Sequence, residues 1–420
     1  MRILFTLVLR NASMPGGLAV LVVSLWLAFS ARLPGLNLWA DLVTGLSSAS
    51  IFTGALGAGF AAFEANRWTN ANVYRARYGY RSPAHIRLWH WGATIAPLLA
   101  GYCLSVLALF VYAVGSGTYG TPSLAWLVAL GSANVAASSF GYALGSFFGR
   151  FWLVAPAAAI LYYSLFIFFQ SAPLPFSVQS LFPAITNLDS VFVQHIETTM
   201  IGQTLLWLAV AVLIAVLVGG GWRRRQSLLL GSVVGVLVVA AVFGGSLVVL
   251  TGGQYTTGYN ARDFQCKAAS ATICLNRGYA NGLGPLSDQF DRLNSIVEGT
   301  PLYATRLEQN VEGVGDAPSP GSRSVYLEKL ENDEDIQFSV YRYVNDNGGS
   351  AMCALADDNV RIAMLYVESW LSEYFYLLDG LPGAERLEAL QSLEGDAARE
   401  WFHSVRDLYF TCSLSLNDLP

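Results

Sequence analysis

Lysine is missing from the first 266 residues of this 420-residue chain, and charge of either sign is scarce over most of that stretch. Residues 1–250 contain 12 Arg and four acids (Asp41, Glu64, Asp189 and Glu197), a net +8; residues 251–420 contain 12 basic and 25 acidic residues, a net −13. The overall −5 conceals two opposite parts. Without an early lysine there is no Gly-x-x-x-x-Gly-Lys-Ser/Thr loop, so ATP is not held here through a phosphate loop. His-Glu-x-x-His, Cys-x-x-Cys and Gly-x-Ser-x-Gly are also absent, and four scattered histidines (His85, His90, His195 and His403) do not suit a His-built metal site. These absences argue against an enzyme. They lead to an expectation of no catalytic residue, no metal, no cofactor and no nucleic-acid partner.

What the first part does have is long apolar sequence. Hydrophobic residues make up 54% of the chain and charged residues 13%, unlike a soluble domain. About 20 apolar residues cross the hydrocarbon layer as a helix, a form whose backbone polar groups are satisfied without water. Seven such helices are expected, at Met14–Ala31, Leu42–Phe63, Trp91–Val114, Ser123–Gly149, Phe151–Gln170, Ile201–Gly221 and Ser227–Leu250, with Gly115–Pro122 a tight turn. The expected fold class is a polytopic α-helical membrane protein of about seven transmembrane helices over residues 1–250. A linker at 251–265 then leads to a mixed α+β extracytoplasmic domain at 266–420.

Orientation follows from arginine, because cytoplasmic loops retain positive charge. Arg2 and Arg10 precede the first helix, five Arg lie between the second and third, Arg150 lies between the fourth and fifth, and Arg223, Arg224 and Arg225 lie between the sixth and seventh. All fall on one face, so the N-terminus is expected inside a multi-pass cell membrane and the acidic domain outside. No Ala-x-Ala cleavage site follows the first apolar stretch, which reads as a retained helix. Cysteine agrees: Cys103 stands alone in the third helix, where a buried apolar role is expected, and Cys266, Cys274, Cys353 and Cys412 all lie in the outer part. Four cysteines in an oxidising compartment suggest two disulfides. Three pairings exist; proximity favours Cys266 with Cys274, leaving Cys353 with Cys412.

In the outer domain a helix is expected from Pro285 to Gly299, strands at Leu302–Leu307, Ser324–Leu330 and Ile336–Tyr343, a turn at Asn345–Gly349, and helices at Asp358–Leu378, Ala384–Leu393 and Asp396–Phe410. The acidic run Glu331–Asp335 reads as a solvated face rather than a cation site.

Within the membrane part no Asp, Glu, Lys or Arg falls well inside an expected span. A proton- or sodium-driven transporter normally carries such a group, so any transport energy is expected from a separate subunit. Gly141, Gly145 and Gly149 recur every four residues, as do Gly231 and Gly235, and such ridges permit close helix packing, within the chain or across a dimer. The cytoplasmic stretch Glu64–Trp91 mixes Arg75, Arg77 and Arg81 with Trp68, Tyr74, Tyr78 and Tyr80, giving a basic, aromatic surface for a partner; the alternative is a plain positive-inside anchor. Outside, Ser171–Thr199 is apolar but broken by Pro173, Pro175 and Pro183, which suits half-helices dipping back into the membrane surface.

This layout resembles the permease subunits of bacterial ATP-binding-cassette exporters of the six-helix type. Met1–Ser13 stands where that family has an interfacial helix, Glu64–Trp91 where it has a coupling helix and Ser171–Thr199 where it has an outer re-entrant hairpin. The stretch around Cys266 and Cys274 looks like the outer domain of actinobacterial permeases of this group. The resemblance implies a separate cytoplasmic ATP-binding subunit docking on Arg75, Arg77, Tyr78 and Arg81, and a homodimer or a heterodimer with another permease. The seventh helix and the large outer domain depart from the plan. They leave open a rival reading, a membrane-anchored sensor or scaffold whose outer domain binds a peptide or an envelope component.

Overall fold

The computed structural model describes residues 13–30, 38–70, 83–148, 153–183, 193–219, 227–251, 255–257, 263–310, 321–327, 332–348, 353, 356–378, 381–382 and 384–420. The chain divides into two compact units whose main boundary lies at residues 258–259.

Among the described residues the first unit holds seven long helices: α1 (Ser13–Ser30), α2 (Trp39–Asn70), α3 (Pro83–Gly115), α4 (Leu124–Phe147), α5 (Val154–Ser171), α6 (Glu197–Gly219) and α7 (Ser227–Thr251). All seven are long and apolar enough to cross a membrane. They start and end within a few residues of expectation except for α2 and α3, which continue through the polar flanks of their apolar runs. At 1.5 Å per residue, the 32 residues of α2 span about 48 Å against a hydrocarbon layer of about 30 Å.

In this bundle α2 packs against α1, α4 and α5, while α6 joins α4 to α7. Small residues set the closest approaches. A Cβ added to Gly141 or Gly145 of α4 would fall on the carbonyl oxygens of Ala58 and Ala62 of α2. Gly17 of α1 meets Gly101 and the Pro97 carbonyl of α3, and Gly202 of α6 meets Gly244 of α7. Without a strong hydrophobic drive in lipid, such backbone proximity is what allows helices to associate. Gly231 and Gly235 border open space instead, so the α6–α7 contact uses Gly244 and not the expected ridge. Cys103 is exposed on α3, contrary to the buried role expected of it.

Two short strands, β1 (Val193–His195) and β2 (Tyr255–Thr257), pair antiparallel before α6 and after α7. The start of α2 and the α3–α4 turn lie at one end of the bundle, where Trp39 N donates to Tyr119 O at 3.1 Å.

The second unit is built on a four-stranded mixed sheet of β3 (Phe264–Ala268), β4 (Thr272–Asn276), β5 (Arg306–Gln309) and β6 (Arg323–Val325). β3 and β4 form a hairpin; β4–β5 and β5–β6 are parallel. The start of β3, and all of β2, fall in the stretch expected to be linker. Among the described residues five α-helices accompany the sheet: α8 (Leu283–Ile296), α9 (Asp333–Asn347), α10 (Asp358–Ser372), α11 (Ala384–Gln391) and α12 (Gly395–Phe410).

Ile336–Tyr343, expected as a strand, is helical. Asn332 caps α9 through the Asp335 N–H while Asp335 bonds back to the Asn332 N–H. The buried residues Ile336, Val340, Tyr343 and Val344 then fall on one helical face. The alternation of 336 and 340 misled because i and i+4 satisfy both periods. The expected long helix at 358–378 stops at Ser372, where Glu373 turns left-handed (φ 58°). Strands at 302–307 and 324–330 shift to 306–309 and 323–325, with residues 328–330 outside the described set. Cys266 is bonded to Cys274 at facing positions of the β3–β4 hairpin, and Cys353 to Cys412.

Candidate functional site

The polar chemistry of the bundle gathers at the end carrying the α2–α3 connection. Glu64 was expected to begin a loop, because a charge after an apolar run reads as its end. Instead α2 continues six residues further, and Glu64 is fully buried. A carboxylate removed from water needs compensation, and three groups supply it. Trp68 Nε1 donates to Glu64 Oε1 at 2.8 Å and Arg67 Nη2 at 3.0 Å, from one turn along the same helix, while His90 Nε2 of α3 stands 3.6 Å away. The Trp68 and His90 rings lie 4.2 Å apart.

His90, 1% exposed, passes the network on. Its Nδ1 is 2.8 Å from the Tyr142 hydroxyl of α4, which is also 3.4 Å from the Arg87 carbonyl. Which nitrogen carries the proton decides who donates. Trp91 Nε1 of α3 donates to Ser139 Oγ of α4 at 3.2 Å, and Arg87 Nη1 donates to the Val218 carbonyl of α6 at 3.2 Å. Four helices are therefore tied together where the α2–α3 connection leaves the bundle.

Depth separates this cluster from an ion site in mid-membrane. Glu64 lies about 37 Å along α2, so a layer of about 30 Å centred on the helix would end close to it. At mid-helix neutral polar groups meet: Thr53 Oγ1 donates to Asn134 Oδ1 at 3.1 Å, in a narrow cleft also lined by Val20, Ile95, Leu98 and Ser138. Glu64 is thus an ionisable group near one end of the candidate span Asp41–Thr69, one residue past the expected span Leu42–Phe63. Asp41, 2% exposed in the first turn of α2, is a second such group.

At the opposite end the chain folds back after α5. Past Pro173 and Pro175, a single helical turn (Phe176–Gln179) leads to Pro183. The carbonyls here are buried and taken up by side chains. Ser180 O accepts from Gln203 Nε2 at 2.7 Å, Leu181 O from Trp207 Nε1 at 2.8 Å, and Pro183 O from both Trp126 Nε1 at 3.1 Å and Ser47 Oγ at 3.3 Å. Non-helical backbone is tolerated at membrane depth only where protein satisfies it in this way.

Of the residues singled out from the sequence, Arg75, Arg77, Tyr78, Arg81 and Gly149 lie outside the described residues. Gly141 and Gly145 face α2, away from the polar cluster's histidine. The four outer cysteines belong to the second unit and form no part of this cluster. His90 and Tyr142 were missed, and Trp68, expected on a partner-facing surface, bonds to Glu64 instead. The available signal was Glu64 one turn beyond the buried Ala61 and one residue before the buried Ala65, on the inward face of α2. Among the described residues no three His, Cys, Asp or Glu side chains come together as a metal site. No protein-family model, no curated protein and no solved structure matches this chain.

Proposed function

We propose that the chain is the membrane permease subunit of an ATP-driven exporter, working with a separate cytoplasmic ATPase and as half of a homodimer or heterodimer. The observation that carries the reading is the Glu64 cluster. It joins α2, α3 and α4 through Glu64, His90 and Tyr142, and α3 to α6 through Arg87, near the α2 end and the α3 start that in sequence flank Arg75, Arg77, Tyr78 and Arg81. A push on that connection then reaches four spans as one rigid body. The absence of a phosphate loop assigns ATP hydrolysis to the partner, and the buried backbone at 180–183 supplies a rigid plug at the other end. On this reading residues 71–82 face the cytoplasm and the second unit faces outward, where its two disulfides are stable.

The position of Glu64 at the rim, already held by Arg67 and Trp68, favours a mechanical brace over a coupling-ion site. The experiment is Arg75→Ala/Arg77→Ala/Arg81→Ala in the purified complex. Loss of substrate-stimulated ATP hydrolysis with normal membrane insertion supports docking; full stimulation returns the connection to a topological anchor. The rival, a sensor or scaffold, rests on the size of the second unit, and a complex that co-purifies with no ATPase favours it.

A further inference from the structure

In the second unit, among the described residues, the most exposed large apolar side chain is Tyr376, at 67%, with Leu377 beside it at 44%. Tyr376 is the outer member of a row of rings. Tyr374 lies 5.9 Å from Tyr376, 5.3 Å from Phe338 and 5.6 Å from Tyr341, and Phe338 and Tyr341 are 6.4 Å apart. The last three are half-buried. Aromatic residues left together at a surface mark a binding face more often than single exposed apolar side chains do.

The row is held in place from behind. Phe338 and Tyr341 sit three residues apart on α9. Tyr374 is aimed at them by Glu373, whose left-handed backbone is a conformation that glycine adopts more readily. Arg292 of α8 fixes that turn, its Nε 3.1 Å from Glu373 Oε1 and its Nη atoms donating to the Leu371 and Trp370 carbonyls at 3.2 Å. Gln289 Nε2 adds a bond to Glu373 Oε2 at 3.1 Å. A non-glycine residue kept in this region by two side chains of another helix indicates that the direction of the following residue matters.

Charge decides what the face would take. Glu334 and Asp335, in the first turn of α9, lie close enough to Tyr374 that they, with its partial burial as the larger cause, raise its phenol above the ordinary value. Burial, then Glu368 and Tyr374, push Tyr341 up to about 12. Both phenols are neutral near pH 7, leaving electron-rich ring faces flanked by carboxylates. The guanidinium groups of the flanking helices are occupied elsewhere: Arg292 as above, and Arg342 over the Tyr326 ring at 3.7 Å. An anion would be repelled, and a cation would meet both the ring faces and the carboxylates. The net −13 of residues 251–420 draws multiply charged ligands over a longer range, and a row of four rings is wider than one ammonium group needs.

We propose that Phe338, Tyr341, Tyr374 and Tyr376, with Glu334 and Asp335, form a binding face for a basic peptide, whose Arg or Lys side chains lie across the rings. This does not depend on the transport reading and holds for a sensor equally.

The test is fluorescence anisotropy of labelled hexa-arginine against the full-length protein in detergent, over a range of salt concentrations. Binding that weakens with salt is expected, with no binding of hexa-glutamate. Tyr376→Ala and Glu334→Gln, both at exposed or partly exposed positions, should each weaken hexa-arginine binding about five- to tenfold, and Tyr376→Phe should retain it. Hexa-arginine binding unchanged in both variants overturns the proposal, since the peptide then sits elsewhere on the acidic unit. Equal binding of hexa-glutamate overturns it too.

Discussion

Replacing Gly141 or Gly145 by alanine should destabilise the bundle, whereas the same change at Gly231 or Gly235 should not. At the first two positions the new Cβ meets a backbone oxygen of α2, Ala58 or Ala62, which no rotamer change can move aside. The helices must part by about 1 Å to restore ordinary contact, and overpacking of this kind costs about 1–3 kcal/mol. Alanine also gains helix propensity over glycine, by up to about 1 kcal/mol, which partly hides the clash. Gly231 and Gly235 have nothing within reach of a Cβ, so they carry the propensity gain alone. The contrast between the two pairs therefore isolates the clash. At roughly 2–4 °C per kcal/mol for a unit of this size, it amounts to about 3–10 °C in melting temperature. Tryptophan-fluorescence melting of the detergent-solubilised variants measures it. Gly141→Ala melting within a degree of Gly235→Ala would refute the α2–α4 contact and move that ridge to a subunit interface.

Reporter fusions after Arg225 and after Tyr255 should read opposite sides of the membrane, cytoplasmic and outer respectively; a shared side would remove α7 as a span. Serine substitution of the Cys353–Cys412 pair, 59 residues apart, should cost about 4 kcal/mol, against about 2.5 for Cys266–Cys274, 8 apart, because a longer closed loop loses more unfolded-state entropy. Equal losses in chemical unfolding would contradict that ordering. Glu64→Ala takes the acceptor from Trp68 Nε1 and should lower stability by about 1–3 kcal/mol, with Glu64→Gln milder; thermal scans of the two variants check it. Tyr341 has its folded-state value raised to about 12, so its contribution is complete below the unfolded value near 10 and is lost as pH rises through 12. Alkaline unfolding over that window should be less steep in Tyr341→Phe.

The seven spans were legible because length and apolarity alone define them, and Arg placement gave them an order of sides to test. The polar cluster was not, for a local reason. Glu64 closes an apolar run and so reads as a loop residue, and only the continuation of α2, which brings Arg67 and Trp68 onto it, with the approach of His90, 26 positions later, permits a carboxylate to remain inside a helix. Tyr142 is no different in sequence from any other aromatic residue of a span; its role comes from reaching His90 Nδ1. In the second unit, Ile336 and Val340 suited a strand as well as a helix, and the Asn332–Asp335 cap that settles the matter was read as a charged run. Glu373 was invisible for the opposite reason, since a left-handed break in mid-helix is usually announced by glycine. The β3–β4 hairpin was overlooked because Phe264–Ala268 is a strand with little burial, held by its neighbour and by Cys266.

The folded-back segment at 180–183 also fixes an order of assembly. Its carbonyls accept from Ser47 and Trp126, which are made before it, and from Gln203 and Trp207, which are made after it. While the chain is still emerging, the Ser180 and Leu181 carbonyls lack their Gln203 and Trp207 donors until α6 has entered the bilayer, so this segment is seated only after α6 is made. Pro183 eases the wait, because a residue with no N–H brings one fewer polar group to satisfy. Completing this end of the bundle is thus the seating of a short irregular piece by a helix that follows it, and a chain halted before Gln203 would be left with that end unsealed.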